Sequence, residues 1–240
     1  MGLVATKAIV LSAIKYGDTS LIVRCFTIKE GLKSYLIKGV LKSKKGKIKA
    51  AYFQPLTQLY IEANHNNKGA LNSIKEVHVA IPYQSIYTSV FKQTIVLFLS
   101  EILSKSIQEE EENKQLFQYL ETAFTWLDTH DEIANFHLLF LLNLTRYLGF
   151  YPDITESEKE GFNLIEGSFT WPSSKKEVIS GSELLQFKKL LGINFDSINK
   201  VFFSKSERLQ VLRIIIRYFK LHLDGFKDPK SLVVLETVFS

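Results

Sequence analysis

The chain has 240 residues, of which 46% are hydrophobic and 12% aromatic. Such a chain can bury a sizeable core, which excludes disorder as its main state and allows one large domain or two smaller ones. A single cysteine excludes a disulfide framework and any metal site made of several thiolates. No apolar stretch reaches the roughly 18 residues of a membrane span, and the N-terminus lacks a signal-peptide pattern, so we expect a cytoplasmic protein.

The net charge of +5 is divided unevenly along the chain. Residues 1–80 carry 13 lysines and arginines against four acidic residues, a net charge of +9, whereas residues 81–240 carry −4. This asymmetry predicts two domains, at 1–80 and 81–240, with different partners. The basic domain is a candidate for binding nucleic acid or an anionic membrane surface.

The sequence pattern of the first 80 residues predicts short strands separated by turns. Runs rich in β-forming residues, several of them alternating, are bounded by glycine and by polar turn residues. The predicted strands are Lys7–Lys15, Ser20–Thr27, Leu32–Lys38, Gln58–Ala63 and Ala70–Val79. Five short strands with frequent turns predict a small closed or partly closed barrel rather than a βαβ unit.

Beyond Pro82 the apolar residues recur at helical spacing. The predicted helices cover Ile86–Ile107, Leu116–Leu127, a buried Ile133–Leu148, Ser182–Leu191 with Ser182 as its N-cap, and Glu207–Leu223. The pattern is interrupted at about 153–181, where Phe162–Trp171 predicts a small hairpin that turns at Glu166 and Gly167. The second domain is therefore expected to be mainly α-helical with a β-hairpin insertion.

A lysine-rich run lies between the third and fourth predicted strands. Five of the eight residues of Lys42–Lys49 are lysines. The run is compatible with a simple exposed loop, but the loops of a five-stranded barrel also rim its oligonucleotide-binding groove, where lysines neutralise phosphates. Tyr16, Tyr35 and Tyr52 lie near basic positions, where each either stacks on a base or belongs to the core.

A second basic group lies on the last long predicted helix. Arg213, Arg217 and Lys220 are spaced by four and three residues, which places them on one helix face. That face is either simply solvated or a site for an acidic partner or a DNA backbone.

The remaining reactive side chains favour structural roles. Cys25 lies between apolar residues of a predicted strand and is interpreted as a buried structural thiol. His137 is interpreted as a core or half-buried residue rather than a metal ligand. The sequence contains no phosphate-binding loop, zinc-protease motif, nucleophile elbow or dinucleotide-binding motif. We therefore expect neither an enzyme nor a cofactor.

Several stretches, in order along nearly the whole chain, carry a resemblance to a known family. The N-terminal stretches are Ala8–Leu11, Tyr16–Leu21, Phe26-Thr27 with Gly31, Ile37–Val40 with the basic loop, and Phe53–Leu56. The later ones are Phe140–Leu142 through Leu148–Pro152, Leu212-Arg213 to Tyr218, His222-Leu223 and Lys230–Leu232. Together these stretches resemble the RecO family of bacterial recombination mediators.

The resemblance implies an α+β multidomain fold, in which an N-terminal five-stranded OB-fold β-barrel precedes the helical domain with its hairpin insertion. It implies binding of single- and double-stranded DNA, annealing of complementary strands, and no enzymatic turnover. With RecR, such a protein helps to load RecA onto single-stranded DNA coated by single-stranded-DNA-binding protein (SSB), whose acidic, hydrophobic C-terminal tail docks on the helical domain. The implied location is the cytoplasm, in association with the nucleoid, without membrane binding.

Charge and position together select the candidate site residues. DNA contact is expected from Lys7, Lys15, Arg24, Lys33, Lys38, Lys42, Lys44, Lys45, Lys47, Lys49, Tyr16 and Tyr35. Charge alone suggests Arg213, Arg217 and Lys220 for the partner-binding site.

The chain departs from many RecO relatives in one respect. They carry a four-cysteine zinc site after the Gly-Phe/Leu-x-Pro exit of the central helix, whereas Asp153–Ser180 contains no cysteine. We therefore predict no metal, and we expect this segment to be held by packing of Phe162, Leu164, Phe169 and Trp171.

Two other functions use the same sequence features. An RNA-binding OB protein would prefer RNA to DNA. An interaction scaffold, whose basic loop docks an acidic protein or membrane surface, would show no dependence on oligonucleotide length.

Overall fold

The structure is a computed structural model that describes residues 2–42, 47–65, 71–108, 110–173, 175 and 177–239. The chain divides into two compact units, Met1–Asp128 and Thr129–Ser240. The expected domain boundary after residue 80 lies near the end of the last strand of the first unit, which continues through two helices. No helix within the described ranges is both long and apolar enough to span a bilayer.

The first unit is built on a five-stranded antiparallel sheet, as the strand pattern predicts. Its strands are β1 (Gly2–Tyr16), β2 (Ser20–Thr27), β3 (Gly31–Ile37), β4 (Gln58–His65) and β5 (Ser73–Ile81), in the order β3-β2-β1-β4-β5. A short 3-10 helix, Ala50–Phe53, lies between β3 and β4. Among the described residues the two outer strands are linked by one isolated parallel bridge, Tyr35 to Asn72, so the sheet is not a closed barrel.

Alternation along the strands separates the core of this unit from its surface. Val10, Val23, Cys25 and Tyr35 point inward and are buried with residues of β4 and β5. Burial raises the pKa of the Cys25 thiol to about 12, which suits the structural role predicted for it. The antiparallel register pairs Val23 with Tyr35 and places the residues on either side of each on the opposite face.

Two helices complete the first unit, α1 (Val90–Ser106) and α2 (Lys114–Thr129). Asp128 joins them to the segment that follows the sheet, because its carboxylate accepts hydrogen bonds from the backbone N–H groups of Gln84, Ser85 and Ile86 at 2.8–3.0 Å. Burial opposes ionisation of this carboxyl, but the backbone donors outweigh it and lower its pKa.

The second unit is mainly helical, with a small sheet inserted. Its helices are α3 (Phe136–Tyr147), α4 (Gly181–Lys188), α5 (Lys205–His222) and α6 (Leu232–Phe239), with a 3-10 helix at Phe195–Lys200. The predicted hairpin is formed by β6 (Gly161–Asn163) and β7 (Ser168–Thr170), and a third strand that the sequence analysis missed, β8 (Val178–Ser180), pairs with β6.

Two expectations for this unit are corrected. Ser182 is not the N-cap of α4, because the helix begins at Gly181 and Ser180 occupies the N-cap position. Phe162, Leu164 and Phe169 are buried as predicted, but the Trp171 side chain is 68% exposed and does not hold the insertion. Polar contacts from α5 add to the packing, since the Tyr218 hydroxyl donates to Phe150 O at 2.8 Å and His222 Nε2 lies 2.9 Å from Leu164 O.

Candidate nucleic-acid interface

A groove of about 620 Å³ lies between the end of β3 and the beginning of β5. Its walls include Leu36 and Lys38 on one side, Ser73 and Lys75 on the other, and Lys47 from the segment before the 3-10 helix. The described lining contains three lysines and no carboxylate. Such a groove is suited to a polyanion, because the charged residues of its described lining are all lysines.

The floor of this groove is the seam between β3 and β5. The Leu36 N–H donates to Asn72 O at 2.9 Å, and the Asn72 N–H donates to Ser34 O at 2.9 Å. The buried Asn72 side chain adds a third hydrogen bond, from Nδ2 to Ser34 O at 3.0 Å. These bonds hold the two walls at a set separation without the ladder of a continuous strand pair.

The lysines around the groove are available to a ligand. Lys38, Lys42, Lys47, Lys49 and Lys75 are exposed, and none of them forms an ion pair with another residue of the described ranges. Lys44 and Lys45, also expected to contact DNA, lie outside the described residues. An unpaired surface lysine loses little when it exchanges water and counterions for a phosphate.

A partly exposed apolar row runs across the sheet to this groove. The register pairs Ile14 with Ile22, and Ile22 with Leu36, so the three side chains lie on the outer face of neighbouring strands. Ile14 is 62% exposed, and Tyr16, on the same face two residues later, is 55% exposed. Because Leu36 also lines the groove, apolar surface suited to nucleobases adjoins the lysines.

Tyr35 has no part in this surface, which corrects the expectation that it stacks on bases. The side chain is fully buried, and its hydroxyl lies 2.8 Å from Nε2 of His65, whose Nδ1 lies 2.5 Å from Glu30 Oε2. Burial raises the pKa of the Tyr35 hydroxyl. A ring without an exposed face cannot stack on a ligand, so Tyr35 belongs to the core.

Three other predicted DNA contacts are engaged inside the first unit. Lys7 forms an ion pair with Glu121 at 2.8 Å, and this hydrogen bond raises the pKa of Lys7. The mostly buried Lys33 pairs with Glu110 at 3.4 Å, and Arg24 donates to Ser104 O at 3.4 Å. The charges of Lys7 and Lys33 are thus partly neutralised by carboxylates, whereas Arg24 is held by a neutral backbone carbonyl.

The remaining predicted contact is Lys15. It is exposed near the end of the β1–β2 hairpin, one residue before Tyr16.

Lys75 is the groove residue that the sequence analysis missed. The β4–β5 register shifts between Glu62 and Ala63, whose partners are Glu76 and Ile74, so Lys75 is the extra residue of a β-bulge. A bulge redirects a side chain away from strict alternation. Alternation in the sequence therefore carries no signal for this position.

The three cations of the expected basic face on α5 all form ion pairs. Arg213 pairs with Glu236 at 3.2 Å, Arg217 Nε donates to Glu177 at 2.9 Å, and Lys220 pairs with Asp228 at 3.0 Å. Each cation thus has a carboxylate partner within the second unit. An acidic ligand at this face would therefore compete with those carboxylates.

Comparison with known proteins finds matches to one protein family along nearly the whole chain. Residues 1–83 match the family model described as "Recombination protein O N terminal", and residues 88–232 match "Recombination protein O C terminal". The chain is 54% identical over 237 residues to the DNA repair protein RecO of Flavobacterium psychrophilum, with 99% of each chain covered. It is 38% identical over 238 residues to the DNA repair protein RecO of Bacteroides fragilis, with 98% of each covered.

Proposed function

Because the chain belongs to the RecO family of DNA repair proteins, we propose that it binds DNA without catalysing a reaction and that the groove between β3 and β5 holds the DNA backbone. The observation that carries this proposal is the set of three lysines, Lys38, Lys47 and Lys75, in a described lining without a carboxylate. Contacts of this kind position a strand and carry no sequence preference.

We further propose that the first unit is an OB-type barrel that is only partly closed. The strand order β3-β2-β1-β4-β5 and the bridge from Tyr35 to Asn72 support it, because they bring the outer strands of the sheet side by side. In this arrangement the apolar row of Ile14, Ile22 and Leu36 meets bases while the lysines meet phosphates.

The proposed activity is annealing of complementary single strands. Two strands repel each other through their phosphates, and a protein that neutralises part of this charge lowers the repulsion and accelerates pairing. In this proposal the protein also acts with RecR to load RecA onto SSB-coated DNA, and the second unit binds the C-terminal tail of SSB. Family membership supports these partners, whereas the paired cations Arg213, Arg217 and Lys220 are not proposed for the tail.

The test is a variant in which Lys38, Lys47 and Lys75 are replaced by alanine. Annealing of complementary oligonucleotides coated with SSB should slow, and the slope of log K against log salt for single strands should fall by about 2, since each phosphate contact contributes roughly 0.7. Fluorescence anisotropy at several salt concentrations measures the slope.

The matched control replaces Lys105, Lys114 and Lys159, each of which is paired with a nearby glutamate. It changes the net charge equally and should leave the slope unaltered. Equal slopes for wild type and the groove variant would mean that the groove does not hold the DNA backbone. Tighter binding of RNA than of DNA would replace annealing with an RNA-binding function.

A further inference from the structure

The backbone of residues 201–203 in the second unit is held by side chains from three different elements. Asn135 Nδ2 donates to Val201 O at 2.7 Å, Lys189 Nζ to Phe202 O at 3.2 Å, and Arg208 Nη2 to Phe203 O at 3.4 Å. Arg208 Nε also donates to Asn135 Oδ1 at 3.0 Å, which joins two of these supports. The segment, which links the 3-10 helix to α5, therefore has a fixed course.

The two phenylalanines of this segment have opposite environments. Phe203 is buried, with Lys189 Nζ 5.1 Å from the centre of its ring. Phe202 is 81% exposed, more than any other large apolar side chain of the described residues. Because the backbone on both sides of Phe202 is anchored, its exposure is a property of the folded segment. An aromatic side chain on an anchored backbone loses less conformational entropy on binding than one on a flexible loop.

Three lysines lie close to Phe202 in sequence or by contact with its backbone. Lys200 and Lys205 lie two residues before it and three residues after it, both at the surface, and Lys189 contacts its carbonyl. The acidic neighbour Glu207 is engaged in the capping box with Ser204 and accepts a hydrogen bond from Gln186. The segment thus presents an aromatic face within a positive environment.

We propose that Phe202 stacks on an unpaired base of single-stranded nucleic acid while Lys189, Lys200 and Lys205 lie near the adjacent phosphates. An aromatic ring framed by cations is the combination that binds single strands without sequence preference. A duplex does not offer the same contact, since its bases are stacked on each other. The inference extends the proposed function by giving the second unit its own contact with a strand.

Photocrosslinking locates the contact directly. The full-length protein is irradiated with a single-stranded oligonucleotide that contains 5-iodouracil, and tryptic peptides are mapped by mass spectrometry. Cleavage after Lys200 and Lys205 releases Val201–Lys205 as one peptide, on which we expect an adduct. Adducts confined to peptides of the groove would overturn this inference and leave the proposed function standing. No adduct on any peptide would count against both.

Substitution at the ring gives an independent measure. Phe202→Ala should weaken single-strand binding by about 5- to 150-fold, the range that corresponds to one base stacked on an aromatic ring. Phe202→Trp should retain binding, and its fluorescence should be quenched by oligo(dT). Duplex affinity should be the same in all three proteins.

The matched control is Trp171→Ala, which removes another exposed aromatic side chain of the second unit and should leave affinity unchanged. The inference fails if Phe202→Ala binds single strands as tightly as wild type while the groove variant binds them more weakly. It also fails if Trp171→Ala and Phe202→Ala weaken binding equally.

Discussion

At the scale of single residues, His137 shows how burial decides protonation. It lies on α3 with almost no exposed surface, and the ring of Phe239 is centred 5.4 Å away. Burial, assisted by the nearby Arg208 cation, lowers its pKa from 6.5 to about 3. The folded protein therefore holds this histidine neutral at a pH at which the unfolded chain would protonate it.

A loss of stability in mild acid follows from this shift. Between pH 6.5 and 3 the unfolded state binds the extra proton, so the free energy of unfolding should fall as the pH decreases, by about 2 kcal/mol from pH 7 to pH 5. His137→Phe should remove this part of the decline. Urea unfolding at several pH values measures it, with His78→Phe, on an exposed position of β5, as control. A decline of the same size in His137→Phe would contradict the assignment.

At the scale of elements, α5 positions the inserted sheet of the second unit through contacts near Tyr218 and His222. The turn between β6 and β7 approaches this helix so closely that a Cβ atom on Gly167 would lie 2.6 Å from Tyr218 Oη. Gly167 also has a φ of +66°, which disfavours other residues. Close approach and backbone conformation both require glycine here.

Gly167→Ala should therefore lower the free energy of unfolding by roughly 2–3 kcal/mol, from left-handed strain together with the displaced Tyr218 hydroxyl. The control is Gly225→Ala, at a φ of +71° with open space around its Cβ position, which should show the strain alone. Adding Tyr218→Phe to Gly167→Ala should cost less than the sum of the two changes, because the clashing oxygen is gone. Strict additivity would mean that the clash is relieved in another way.

The elements that could be predicted from the sequence are those specified locally. β2 has the predicted bounds, because turn residues flank a continuous β-forming run, and the β6–β7 hairpin follows from its turn at Gly167. Strand β8 has only three residues and depends on pairing with β6, so the local sequence shows no alternation that would predict it. Helix α6, which the sequence analysis also missed, is apolar at six of its eight residues, so its sequence shows no helical period.

The candidate site was less predictable, because its residues depend on contacts that are distant in sequence. Alternation in Leu32–Lys38 separates two faces but does not say which one meets the core, and pairing with β2 turns Tyr35 inward. The spacing of Arg213 and Arg217 on α5 predicts a shared helix face but says nothing about their partners. Their carboxylate partners, Glu236 and Glu177, lie 23 and 40 residues away, beyond any helical pattern.

At the scale of the whole molecule, the uneven charge persists when the compact units replace the predicted domains. Residues 1–128 carry 16 lysines and arginines against 11 acidic residues, so the entire net charge of +5 belongs to the first unit, and the second is neutral. Electrostatic attraction of a nucleic acid should therefore originate mainly in the first unit, while the second contributes local contacts.

The paired cations of α5 give a prediction about the salt dependence of DNA binding. Replacement of Arg213, Arg217 and Lys220 by alanine should leave the salt slope of DNA binding unchanged, because their charges are matched by Glu236, Glu177 and Asp228. The free energy of unfolding should fall by at most about 1 kcal/mol for each exposed pair. Anisotropy and urea unfolding measure the two effects. If the slope of log K against log salt falls as far as in the groove variant, these residues contact DNA and the prediction is wrong.

The seam beneath the groove has a consequence for solubility. β3 and β5 are the outer strands of the sheet, and within the described residues only the bridge at Tyr35 and Asn72 joins them. Exposed strand edges invite pairing with another chain, and lysines at such edges oppose it through repulsion between like charges. We therefore expect Lys38 and Lys75 to oppose self-association of the free protein, and a bound polyanion to oppose it through its own negative charge.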